Sequence, residues 1–101
     1  MEVVKVVRVI VTFDVHSQKV NRDITKILKA NGFRIQNSVY EINIYKSDID
    51  KLSQKLQAVI NNNIDSCVIY NLGKNIEDRI IRLGRQQDTY VSLLCNGYII
   101  L

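Results

Sequence analysis

The chain has 101 residues, of which 47% are hydrophobic, with a net charge of +4 and a pI near 9.2. That is one domain's length and too apolar for a disordered chain, while a core of this size gains from burial on association. Charges at Lys5 and Arg8 and a polar Thr12 break the N-terminal apolar run, and Asn96 and Gly97 break the C-terminal one, so no stretch reads as a membrane span.

The opening "MEVVKVVRVIVTFDV" has an acid at position 2, charges inside its apolar run and no small-residue cleavage site, which excludes a signal peptide and leaves the cytoplasm as the expected compartment. Residues 3–15 read instead as a strand. Val7, Val9, Val11 and Phe13 share one face and Arg8, Ile10, Thr12 and Asp14 the other, as a central strand covered on both sides requires. A helix is expected over 19–31, from an apolar stripe at Val20, Ile24, Ile27 and Leu28. Ser17 is its candidate N-cap and Gly32 its αL C-cap. Lys19, Arg22, Lys26 and Lys29 fall off the stripe and make the outer face basic.

Residues 33–36 and 38–45 read as strands, joined by a bulge or by a tight hairpin near Asn37-Ser38. A second helix spans 48–60 on Ile49, Leu52, Leu56, Val59 and Ile60, with Ser47 and Asp50 as a capping-box variant. "NNNID" is a loop, 66–72 a strand, 78–84 a short strand, and 89–101 an apolar tail with an Asn-Gly turn. The order β-α-β-β-α-β is that of the ferredoxin-like fold, an α+β antiparallel sheet with both helices on one face, here with an extra C-terminal strand and tail. The other face is expected to be open, a surface on which such sheets bind RNA or a second copy. The ferredoxin-like domain is placed at 1–85, with 86–101 a C-terminal extension packing on a dimer mate or a partner.

Chemistry concentrates at few residues. Asp14 ends an apolar central strand, where a carboxylate holds a divalent cation or opens a turn. A two-fold dimer would bring two such carboxylates to one ion. His16, the single histidine, is either a proton shuttle near Asp14 or a solvated loop residue. Lys19, Arg22, Lys26, Lys29 and Arg34, with Arg79, Arg82 and Arg85, are candidate phosphate contacts, and Asp23 weakens the set. Cys67 and Cys95 have neither CxxC spacing nor a nearby histidine pair, which argues against zinc, and Cys67 reads as a small buried hydrophobe. No phosphate-cradling glycine motif is present.

Taken in order, four motifs resemble a known family. "VTFDV" (11–15) is similar to the first strand of the small CRISPR-associated adaptation subunit, the second of the universal pair, in which an aromatic-Asp-aliphatic triplet ends the strand. "RIQNSVYE" (34–41) resembles its Arg-x-Gln-x-Ser-Val-aromatic-Glu signature, "DSCVIYNL" (65–72) its fourth strand, and "IIRLG" (80–84) its short last strand. The similarity covers roughly residues 6–85, a ferredoxin-like length. It departs where Asn21 replaces a common Arg and Asn71 a frequent Pro, and from 86 onward it has no counterpart.

The resemblance implies a ferredoxin-like homodimer that works with the larger integrase subunit to capture short DNA fragments and insert them into a CRISPR array. It also implies a Mg²⁺-dependent (or other divalent-cation-dependent) endonuclease acting on double-stranded DNA or single-stranded RNA. Asp14 would be catalytic and metal-ligating, the ion being shared between the two Asp14 of the dimer. Lys19, Arg22, Lys26 and Arg34 would bind nucleic acid, and Ser38 and Tyr40 would lie at the dimer face. The competing readings are a non-catalytic nucleic-acid-binding or regulatory module on the same fold and a toxin-type ribonuclease.

Overall fold

The nine-residue strand β1 (Val6–Asp14) organises the molecule, because it has a partner on each side. The computed structural model describes residues 5–85 together with Leu94 and Cys95. After β1 the chain runs through α1 (Gln18–Lys29), β2 (Phe33–Gln36), β3 (Val39–Tyr45), α2 (Ile49–Val59) and β4 (Ser66–Gly73). The sheet order is β2-β3-β1-β4 and every pairing is antiparallel, which is the expected ferredoxin-like arrangement.

Alternation along the strands builds the core. Val7, Val9, Val11 and Phe13 of β1 stand beside Tyr40, Ile42 and Ile44 of β3, and Ile24, Leu28, Leu52 and Leu56 of the two helices close over them. Ser17 caps α1 as expected: its hydroxyl accepts from the Val20 N–H at 3.0 Å.

Two helix-end expectations change. Gly32 is not in the αL conformation; among the described glycines only Gly73 and Gly84 have positive φ. Gly32 is needed for space instead, since a Cβ there would run into the Ile42 side chain and lie 2.6 Å from the Glu41 carbonyl oxygen. The end of α1 is closed by Asn31, whose amide donates to the Ile27 carbonyl at 2.6 Å. The Ser47–Asp50 capping box does not form. A 3₁₀ turn over Lys46–Asp48 feeds α2, whose N-cap Asp48 makes no side-chain cap bond.

Asn37 and Ser38 form the tight turn between β2 and β3, Ser38 at φ +65°, and the bulge lies within the same hairpin, between Arg34 and Gln36. The expected strand over 78–84 is absent among the described residues. Glu77–Arg79 is a single 3₁₀ turn, and residues 80–85 after it carry no strand. Ile81 and Leu83 are 84% and 81% exposed, an apolar pair on the surface of the described chain. The tail expectations, including the Asn96-Gly97 turn, lie outside the described residues apart from Leu94 and Cys95.

The second sheet face is not the open surface expected of it. At one end Arg8, Glu41 and Asn43 are buried there, and the segment around Ile76–Arg82 lies over them with Leu94. Along β4 that face stays bare, with Val68, Tyr70 and Leu72 exposed.

Candidate metal and nucleic-acid site

Asp14 is the last residue of β1 and stands opposite Ser66 of β4. Phe13 and Val15 on either side pack into the core, which turns the Asp14 carboxylate outward. It is exposed and has no side-chain partner among the described residues, and no three potential ligands of the His, Cys, Asp or Glu type gather there. A carboxylate of this kind offers hard oxygen donors to Mg²⁺, which keeps most of its waters and needs only one or two carboxylates. The donor chemistry therefore fits a divalent ion, with one carboxylate per chain.

Ser38 and His16 frame the same end of the sheet. The Ser38 carbonyl accepts from the Phe13 N–H at 3.1 Å, so the β2–β3 turn abuts the end of β1. Asp65, at the mouth of β4, accepts from the His16 N–H at 3.0 Å and meets the His16 ring Nδ1 at 3.3 Å with the same oxygen. Its other oxygen accepts from the Asn61 N–H at 2.8 Å. The Asn61 bond, against the opposing effect of burial, and then the His16 contacts hold the Asp65 carboxyl below its ordinary range.

The predicted phosphate contacts divide. Lys19, Arg22, Lys26 and Lys29 follow one another at three- and four-residue spacing along the exposed side of α1. Lys19 is partly neutralised by Asp23 at 2.9 Å. Arg34 is exposed on the edge strand β2, opposite Tyr40, which pairs in turn with Val11, three residues short of Asp14. That is about 10 Å back along the sheet. Arg82 leaves the basic set altogether, because it is engaged by Glu41.

Tyr40 requires a correction. It is 1% exposed and its ring stacks on Phe13 at a centroid distance of 6.4 Å, so it is a core residue and presents no surface to a second copy. Alternation puts it on the helix side of β3, in register with Val11. Ser38 is half-buried in the turn, and its visible role is to bond β1 through its carbonyl. Cys67 packs against the core as expected, and burial pushes its thiol up.

The largest group of charges lies elsewhere, and sequence reasoning missed it. Arg8 donates to Asn43 Oδ1 at 2.7 Å through Nε, to Glu41 Oε2 at 2.8 Å through Nη1 and to the Leu94 carbonyl at 2.9 Å through Nη2. Arg82 donates to Glu41 Oε1 at 2.7 Å, and Glu77 forms an ion pair with Arg8. Two cations thus face two anions under the covering segment. Against the opposing effect of burial, hydrogen bonds from Cys95 and Arg8 and the charges of Arg8 and Arg82 hold the Glu77 carboxyl low. The Glu41 bond raises Arg82, while burial and then the Glu77 carboxylate raise the Cys95 thiol. The signal was available: Arg8, Glu41 and Asn43 interrupt apolar strands at the outward phase of the period-two pattern, where two central strands place Arg8 opposite Asn43 and diagonal to Glu41.

Comparison with known proteins agrees with this architecture. The family described as CRISPR associated protein Cas2 matches residues 7–80. A CRISPR-associated endoribonuclease Cas2 of Thermodesulfovibrio yellowstonii is 33% identical over 85 residues, covering 84% of this chain and 96% of that protein. A CRISPR-associated endonuclease Cas2 of Halalkalibacterium halodurans is 30% identical over 81 residues, covering 75% of this chain and 84% of that protein. The crystal structure of Streptococcus pyogenes Cas2 at pH 6.5 superposes with a TM-score of 0.67 at 33% identity, covering 76% of this chain and 99% of that one. Among the described residues no helix is long and apolar enough to cross a membrane. The match spans most of the ferredoxin-like unit, from β1 through β4 to the segment that covers its outer face, and the chain belongs to the Cas2 family.

Proposed function

We propose that the chain is a divalent-cation-dependent endonuclease of CRISPR systems that acts as a homodimer and serves the capture of foreign DNA fragments with a larger integrase subunit. The observation that carries the catalytic part is Asp14. It is an outward carboxylate, unpartnered among the described residues, at the end of the central strand, in a chain whose relatives bear the names endonuclease and endoribonuclease. Asp14 is the residue that would hold Mg²⁺ or another divalent ion. When bound, that ion supplies Lewis-acid stabilisation of the charge developing on phosphate oxygens. The basic side of α1, led by Arg22 and Lys26, supplies sequence-tolerant phosphate contacts, with Arg34 as a further one from the edge strand.

The dimer reading rests on bare apolar surface. Tyr70 is 51% exposed on the edge strand β4, between exposed Val68 and Leu72, and Ile81 stands out beyond the 3₁₀ turn. One carboxylate per chain makes a poor ion site, and a second copy related by a two-fold axis would provide another. Family membership is what supports the role in fragment capture.

The test is Asp14→Ala, assayed on single-stranded RNA and duplex DNA with Mg²⁺. Cleavage should be lost while gel filtration still gives the parent's dimer. A purified variant that cleaves like the parent makes Asp14 structural. Reconstitution with a candidate integrase subunit, scored by fragment insertion, tests the capture role, and a chain that binds fragments without supporting insertion is a binding module only.

A further inference from the structure

Asp65 opens the motif "DSCVIYNL" (65–72), and the reading above gives it no task. Asp14 has no side-chain partner among the described residues, so the backbone that carries its carboxylate sets where that carboxylate stands. This backbone is held at three points. On one side of Asp14 the Phe13 N–H donates to the Ser38 carbonyl at 3.1 Å. Asp14 itself stands opposite Ser66, the residue after Asp65, in the β1–β4 ladder. On the other side the chain leaves the sheet, and there the His16 N–H donates to Asp65 Oδ1 at 3.0 Å. The third point alone is made by a side chain. That side chain is 1% exposed, and its other oxygen accepts from the Asn61 N–H at 2.8 Å in the loop after α2. The carboxylate thus ties the exit of β1 to the exit of α2 across the mouth of β4. Bonds from backbone N–H groups to a carboxylate are charge-assisted and strong. An ionised carboxylate accepts at both oxygens, whereas an amide in its place would turn an NH₂ group toward one of the two N–H donors.

We propose that Asp65 is a positioning residue for Asp14: through the His16 N–H, and through its own neighbour Ser66, it fixes the end of β1 from which the Asp14 carboxylate projects. The inference rests on Asp14 as the catalytic carboxylate of the proposed endonuclease and extends that reading to a residue that touches neither ion nor nucleic acid. A reacting group displaced by about 1 Å loses about a hundredfold in rate. Nucleic-acid affinity is spared, because α1, which carries Arg22 and Lys26, is anchored separately in the core by Ile24 and Leu28.

The test measures cleavage of single-stranded RNA and of duplex DNA with Mg²⁺ by the full-length protein, well below the unfolding midpoint of each variant. Asp65→Asn keeps the size of the side chain and one acceptor oxygen. Its kcat should fall about ten- to a hundredfold while KM for the nucleic acid stays within about twofold. His16→Ala keeps the backbone N–H and removes the exposed ring contact, which is worth little, so its kcat should fall about threefold at most. Asp65→Ser, which keeps an acceptor oxygen at shorter reach, takes the place of Asp65→Asn should circular dichroism show the latter unfolded. In the parent the His16 N–H should exchange its hydrogen about a hundredfold or more slowly than an unbonded amide, and free exchange there overturns the proposal whatever the variants do. If Asp14→Ala abolishes cleavage while the folded Asp65 variant turns over like the parent, the Asp14 reading stands and the Asp65 assignment is overturned. A loss in His16→Ala as large as in the Asp65 variant overturns it too, since the ring and not the N–H then carries the effect. So does a rise in KM with kcat unchanged, which is a binding role. A parent that does not cleave, or an Asp14→Ala variant that cleaves like the parent, overturns the Asp14 reading and the Asp65 assignment together.

Discussion

The buried charges on the outer face give the sharpest stability prediction. Glu41 is held by two guanidinium groups, and its side chain and that of Arg8 are each only 5% exposed. Replacing Glu41 with Leu leaves Arg8 and Arg82 facing each other with Glu77 as their only counter-charge among the described residues. Breaking a buried pair from one side costs about 3–5 kcal/mol, a large share of the roughly 5–15 kcal/mol that holds a domain of this size together. Arg8→Met should cost less, about 1–3 kcal/mol, because Glu41 keeps Arg82 and Asn43 keeps the Leu94 carbonyl at 3.1 Å. The double variant leaves the ion pair of Arg82 with Glu77 and should recover about 2 kcal/mol or more relative to the sum of the single costs. Urea unfolding at one fixed protein concentration measures all four proteins, and with a slope of about 1–1.5 kcal/mol/M the Glu41→Leu midpoint falls by about 2 M or more. A Glu41→Leu cost under about 1 kcal/mol, additive with that of Arg8→Met, would mean that these charges behave as solvated surface pairs, and the argument for a buried network would fail.

Two further predictions address the same architecture. Gly32→Ala should destabilise by about 1–3 kcal/mol, because the added methyl group meets Ile42 and the Glu41 carbonyl where α1 hands over to β2, and unchanged thermal unfolding would refute that close approach. Glu77, lowered from its ordinary 4.5, contributes stability that is fully present above that value and is lost as pH falls through the lowered one. Glu77→Gln should therefore flatten the acid limb of a stability-against-pH curve below about pH 4.5, and an acid limb as steep as the parent's would show that Glu77 carries no linkage.

The fold was legible because alternation and helical spacing are strong signals here. Val7 to Phe13 on one phase and Ile24 with Leu28 on one stripe lead directly to the observed core. What failed was local and had local causes. The Ser47–Asp50 pattern matched a capping box, but a 3₁₀ turn takes up the chain before α2 begins. "DRIIRLG" has strand composition, but a strand needs a partner with free hydrogen-bonding groups. Among the described residues, 80–83 take no strand conformation, and Arg82 within them is drawn to Glu41. Tyr40 is expected at a dimer face, yet its register with Val11 sends it to the core.

The site shows a different limit. Asp14 was found from its position at the end of an apolar strand, but Asp65, which holds His16, lies 49 residues further along and touches it only because β4 pairs with β1. No spacing rule links positions 16 and 65; the contact is a product of register, which places Ser66 opposite Asp14 and so puts Asp65 beside the chain as it leaves β1. The same pairing explains where rigidity resides. The two central strands bury Arg8, Glu41 and Asn43 at one end, whereas the Asp14 end carries an unpartnered carboxylate, a half-exposed imidazole and a turn. Under the proposed function, such a molecule fixes its outer face with charge and leaves Asp14 at an end where an ion, a phosphate or a second copy would supply its partners. Activity at that end should therefore depend on assembly and ion more than on the stability of the isolated fold.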